Sequence, residues 1–217
     1  MARNILSRRA PEGRSPVVRV RLAAPAARIL VVGGARSGKS AFAQAMAERF
    51  PGTLLYVATM VESDPESQER VRSHRERRGP RWKVVEAGTS LASALSACPE
   101  ASCVLVDSLG LWVSGVLCGL LGQGGETGDD EEREAGRMET LTRETIAFVE
   151  AFRATRRPVI VVTDEVGMGL VPPDRLSRSF RDALGLVNQG VGQAATEAYL
   201  VSCGLPVRLK GRGSQNP

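Results

Sequence analysis

Eight consecutive residues constrain this chain more than any others. Gly33-Gly34-Ala35-Arg36-Ser37-Gly38-Lys39-Ser40 fits the pattern GxxxxGKS. Its setting gives the pattern weight. Residues 28–32 read Arg-Ile-Leu-Val-Val, a short β-branched run expected to form a buried strand. Residues 39–50 are expected to form a helix, with Ala41, Phe42, Ala45 and Met46 near a three-to-four spacing and Pro51-Gly52 as the stop. A glycine-rich loop between strand and helix lets backbone N–H groups turn inward around phosphate oxygens. The helix then directs its positive N-terminal end at the same anion. On this reading Lys39 reaches the β- and γ-phosphates of a nucleoside triphosphate and the Ser40 hydroxyl binds a magnesium ion (Mg2+). The bland alternative is a mere glycine-rich turn.

Further elements follow in alternation. Strands are expected at 53–58, 82–86, 103–106 and 158–163, and helices at 63–78, 91–97, 109–121, 137–155 and 173–196. Two late strands, 198–202 and 207–209, flank Gly204-Leu205-Pro206 and are expected to pair as a hairpin. Residues 122–134 hold four glycines and six acids and read as a mobile surface loop. Strand alternating with helix implies an α/β fold, with a mainly parallel sheet covered on both faces. Asp107 closes the third strand. A carboxylate there suits a magnesium contact, and it equally suits an N-cap for the helix that follows.

Composition narrows the function. The net charge is +5, which invites a nucleic-acid partner. However, residues 1–28 carry seven arginines and a single acid, Glu12, which leaves the rest of the chain near neutral. Aromatics are 4%, too few for a base-stacking platform. No run of eighteen apolar residues exists, so no membrane span is expected. Cys98, Cys103, Cys118 and Cys203 form no CxxC pair and are expected to be buried free thiols in a reducing, cytoplasmic compartment. Residues 1–27 show no persistent period; they read as a flexible basic extension, an early start, or a transit peptide.

Three further features have two readings each. His74, the single histidine, lies in Arg70-Val71-Arg72-Ser73-His74-Arg75-Glu76-Arg77-Arg78. It is a solvated side chain or a nucleophile toward phosphorus among arginines that attract triphosphate. Glu165 orients a substrate hydroxyl or a magnesium water, or it bonds backbone N–H groups. Trp82 and Trp112 are packing residues or ligand contacts.

The phosphate loop, Tyr56-Val57-Ala58-Thr59, His74 with Arg77-Arg78, and Trp82 together resemble the bifunctional adenosylcobinamide kinase/adenosylcobinamide-phosphate guanylyltransferase family. VLVDSLGLWVSGVL at 104–117, VTDEVGMGLVP at 162–172 and LSRSFRDALGLVNQ at 176–189 agree with it. The resemblance implies one working domain at 28–210, with an extension at 1–27 and a tail at 211–217. It implies a RecA-like P-loop NTPase fold and a homotrimer. It implies phosphoryl transfer from ATP or GTP to the aminopropanol hydroxyl of adenosylcobinamide. Transfer of GMP from GTP to adenosylcobinamide phosphate would follow, through a guanylyl-histidine at His74. Lys39 and His74 are then the catalytic residues. Nucleotide contacts map to residues 33–40, Ala58, Thr59, Met60, Arg75, Glu76, Arg77, Arg78, Glu86 and Asp107, with Ser40 and Asp107 toward the metal. Four departures from the family pattern stand out: Asp164 in place of Asn, Gly79 inserted before Pro80, and Gly110 and Gly115 in place of Thr and Asn.

Overall fold

The computed structural model describes residues 27–60, 79–121 and 129–211. They form β1 (Arg28–Gly33), α1 (Lys39–Ala47), β2 (Leu54–Ala58), β3 (Trp82–Glu86), α2 (Leu91–Leu95), β4 (Cys103–Asp107) and α3 (Leu109–Leu117). After these come α4 (Asp130–Ala154), β5 (Val159–Asp164), α5 (Arg175–Ala194), β6 (Glu197–Ser202) and β7 (Leu205–Lys210). The seven strands make one sheet in the order β3-β2-β4-β5-β1-β6-β7. All neighbours are parallel except β6 and β7.

The strands are apolar at successive positions because both faces are buried. Ile29, Val31, Leu54, Tyr56, Leu105, Ile160 and Val162 point to the face that carries Ala43, Met46 and Ala47 of α1. Leu30, Leu55, Val57, Val104, Val106, Val159 and Val161 point to the other face, onto α2, α3, α4 and α5. Trp112 of α3 is fully buried there, and its indole N–H donates to the Thr89 carbonyl at 3.0 Å. It is a packing residue with a satisfied polar end.

Several boundaries differ from the sequence expectation. The acidic stretch does not stay a loop to residue 134. The Asp129 carboxylate accepts from the N–H groups of Glu131 and Glu132, at 3.0 Å each, and so caps α4. Acids in that first turn complement the helix dipole. α3 stops at Leu117, and Gly119 follows in the left-handed region with φ +70°. The β6–β7 turn is Cys203-Gly204, with φ +51° and +77°, a twist that matches a two-residue hairpin. Pro206 therefore lies within β7, an edge strand, where proline is tolerated.

Parallel pairing brings five strand ends to one edge. Gly33 of β1 is level with Asp164 of β5, and Ala58 of β2 is level with Asp107 of β4 and Glu86 of β3. A crevice outside the carboxyl ends of parallel strands is where open α/β sheets bind ligands.

Candidate active site

The loop after β1 wraps back on itself. Ser37 N–H donates to the Gly34 carbonyl at 3.3 Å, and Phe42 N–H donates to the Gly38 carbonyl at 3.0 Å, which opens α1. Gly38 has φ +93°, a conformation open to glycine at little cost. The loop also leans on the far hairpin: Gly204 N–H donates to the Ser37 carbonyl at 2.8 Å. Gly33 is held tightly. A Cβ there would lie 2.5 Å from Ser37 Oγ and 2.6 Å from the Val201 carbonyl oxygen. Gly34 meets nothing within 4 Å. Ala35 and Arg36 are exposed at the tip, and Arg36 has φ +55°.

Two polar clusters lie beyond the loop. In the first, Ser40 Oγ donates to Asp107 Oδ1 at 3.2 Å, and Tyr56 OH donates to Asp107 Oδ2 at 3.3 Å. The N-cap of α3 is Ser108, whose hydroxyl faces Leu111 N–H at 3.5 Å; the cap reading of Asp107 is thereby corrected. In the second, Lys39 Nζ lies 2.7 Å from Asp164 Oδ1 and donates to the Gly34 carbonyl at 3.1 Å. Ser108 Oγ faces Asp164 Oδ2 at 3.4 Å. The backbone beneath is fixed by α5: Asn188 accepts from Thr163 Oγ1 at 2.6 Å and donates to the Asp164 carbonyl at 3.1 Å.

Ser40 thus meets Asp107, while the adjacent Lys39 turns to Asp164 and the Gly34 carbonyl. Ala58 and Met60 are half-buried beside them. Thr59 is buried, and its hydroxyl donates to the Ser108 carbonyl at 2.7 Å, so it ties β2 to the turn after β4. Glu86 is not brought near the loop. It ends β3, which β2, β4 and β5 separate from β1, roughly 19 Å at the usual strand spacing. His74, Arg75, Glu76, Arg77 and Arg78 lie outside the described residues, as does the helix expected at 63–78.

The remaining two-sided readings resolve as follows. Glu165 Oε1 accepts from Gly167 N–H at 2.6 Å and Met168 N–H at 3.1 Å, so it caps its own loop. Trp82 is half-buried, edge-on to Tyr56, with ring centroids 6.3 Å apart. A Cβ at Gly110 would overlap Asp164 Oδ2, and one at Gly115 would lie 2.7 Å from Leu121 Cδ1. Both glycines therefore make room for a neighbour. Asp164 and Asn188 belong to the site but were not among the expected contacts. Their proximity depends on β1–β5 pairing and on the seat of α5, which no local pattern encodes.

Magnesium fits the first cluster. Hydroxyl and carboxylate oxygens suit a hard cation, which is usually bound by one or two protein ligands plus phosphates and water. Among the described residues no group of three His, Cys, Asp or Glu side chains forms a metal cage, so the phosphates of a nucleotide would complete the shell. Also among the described residues, no helix is long and apolar enough to cross a membrane.

Residues 29–209 match the family model described as cobinamide kinase / cobinamide phosphate guanyltransferase. The bifunctional adenosylcobalamin biosynthesis protein of Salmonella typhimurium is 36% identical over 184 residues, which is 84% of this chain and 99% of that protein. The Escherichia coli counterpart is 36% identical over 84% of this chain and 99% of its own length. The Pseudomonas aeruginosa counterpart is 34% identical over 85% of this chain and 98% of its own length.

Proposed function

Because the chain belongs to the cobinamide kinase / cobinamide phosphate guanyltransferase family, we propose that it catalyses both of that family's transfers on one sheet edge. The first moves the γ-phosphoryl group of ATP or GTP to the aminopropanol hydroxyl of adenosylcobinamide. The second attaches GMP from GTP to the resulting phosphate, which yields adenosylcobinamide-GDP and pyrophosphate. The observation that carries this reading is the placement of Lys39 over the loop after β1 and of the adjacent Ser40 against Asp107 at the carboxyl end of β4.

Phosphoryl transfer asks a protein for placement and charge neutralisation more than for covalent help. The backbone N–H groups of residues 34–40 and the N-terminus of α1 supply partial positive charge to the phosphates. The Lys39 ammonium adds a full charge on the side of β5. Ser40 and Asp107 would hold Mg2+, which supplies further neutralisation when bound. Gly34, with nothing near it, leaves the phosphates free to approach the backbone.

Guanylyl transfer needs a nucleophile that can leave again. The neutral imidazole of His74 attacks the α-phosphorus of GTP; a P–N bond forms and the bond to pyrophosphate breaks. A phosphate oxygen of adenosylcobinamide phosphate then attacks the same phosphorus, and the P–N bond returns its electrons to the imidazole. Arg75, Arg77 and Arg78 would neutralise the phosphates at this step, with Glu76, Glu86, Ala58, Thr59 and Met60 completing the nucleotide site. The working unit is read as a homotrimer in the cytoplasm, built from residues 28–210, with no nucleic-acid partner.

The test is incubation with α-labelled GTP. Wild type takes up a label that is stable to base and labile to acid, as expected for phosphorus on imidazole. His74→Asn takes up none and makes no adenosylcobinamide-GDP, yet keeps at least part of its kinase activity. Undiminished labelling of that variant would move the covalent site elsewhere and refute the assignment.

A further inference from the structure

We propose that Asp164 acts as a latch on the phosphate-loop lysine, so that a triphosphate must displace a carboxylate before it gains Lys39. The inference rests on the nucleotide reading of the loop given above. The Lys39 ammonium is paired within the fold itself, 2.7 Å from Asp164 Oδ1 and 3.1 Å from the Gly34 carbonyl. The pair is well shielded: the Lys39 side chain is 11% exposed and that of Asp164 is 27% exposed. Attraction between such charges is screened less than on an open surface.

Three features set where Asp164 sits. Ser108 Oγ faces its second oxygen at 3.4 Å. Asn188 grips its backbone carbonyl at 3.1 Å. Gly110 of α3 leaves the space that Oδ2 fills, since a Cβ there would overlap it. Asp164 is therefore built in as the lysine's resting partner, and it is a positioning residue that acts through Lys39. A triphosphate bound beside an unmoved carboxylate would face like charge. Binding thus trades one anion for another at Lys39, and the exchange weakens binding while leaving the chemistry intact. Gly110 and Asp164 act as a unit, because the small residue sets the position of the acid.

The test uses the full chain and calorimetry with the β,γ-imido analogue of ATP plus magnesium. Asp164→Asn keeps the shape and removes the charge. It should bind the analogue roughly tenfold more tightly, the worth of one charge-assisted contact. Affinity for AMP, which offers Lys39 no β- or γ-phosphate, should be unchanged. In turnover, KM for ATP should fall while kcat holds, the mark of ground-state binding. Gly110→Ala should also tighten analogue binding by crowding the carboxylate off Lys39, and it should add nothing in the Asp164→Asn background. Thermal melts without nucleotide report whether each variant folds; if one does not, the other still decides. Unchanged or weaker analogue binding in a folded variant overturns the latch, as does an equal gain for AMP or full additivity of the two substitutions. Failure of wild type to bind the analogue at all would instead overturn the nucleotide reading beneath it.

Discussion

Two adjacent glycines of the phosphate loop should respond to alanine unequally. At Gly33 an added Cβ would sit 2.5 Å from Ser37 Oγ and 2.6 Å from the Val201 carbonyl oxygen. The hydroxyl can rotate, but the carbonyl cannot, because Val201 lies within β6 and pairs with Gly33 itself. Relief therefore requires β1 and β6 to separate locally, and overpacking of this kind costs about 2 kcal/mol. For a chain of 217 residues that is a fall in Tm of roughly 4–8 °C. At Gly34 nothing lies within 4 Å and the backbone is not left-handed, so Gly34→Ala should keep its stability to within about 0.5 kcal/mol. Differential scanning calorimetry without nucleotide, checked by urea unfolding, measures both. Equal melting of the two variants, or a Gly34→Ala loss as large as that of Gly33→Ala, would refute the division of a wall glycine from an approach glycine.

Lys39→Ala should stay folded and lose kinase turnover by at least a hundredfold, since a lost transition-state contact of this type costs about 3 kcal/mol or more; near-normal turnover in a coupled assay would sink its role. The thiols should divide by location. Cys118 and Cys203 are exposed, whereas Cys98 and Cys103 are buried, and burial raises the Cys103 thiol to about 12. Iodoacetamide at pH 8 should therefore label Cys118 and Cys203 in the native protein, with Cys103 reached only on unfolding. The same shift gives a sign for stability: Cys103 favours the fold below the ordinary thiol value near 9, and this is lost progressively as pH rises from there toward 12. Peptide mapping that finds Cys103 alkylated in the folded state would contradict this.

What could be read from residues alone was whatever local order encodes. The phosphate loop announced itself because strand, glycines, lysine and helix are contiguous, and the hairpin because glycine and two short strands are adjacent. Asp107 was legible as the end of a strand, but its contacts with Ser40 and Tyr56 come from α1 and β2, remote in sequence, and the cap of the next helix falls to Ser108 instead. The acidic run at 129–134 misled because solvated charge and a capped helical first turn share one composition; only the Asp129 hydrogen bonds separate them. The expectation that the cysteines are buried failed at Cys118 and Cys203, which both stand in turns after apolar elements. Asp164 stood out as a departure from the family pattern. Its meaning came from the lysine opposite and the room its carboxylate takes up beside Gly110, both remote in sequence.

The bond from Gly204 to the Ser37 carbonyl has a consequence for the order in which the chain takes shape during synthesis. β1 and its loop are made early, yet β1 pairs only with β5 and β6, and its loop is braced by the turn after β6. All of these emerge from the ribosome long afterwards. Pairings across such separations form late, after the cost of closing a long loop has been met. Until then the nascent β1 presents two unpaired backbone edges and two apolar faces, and α1 has no finished sheet to cover. The nucleotide pocket is therefore a timed product of translation: the segment that defines it is written first and becomes usable only when the distant hairpin docks.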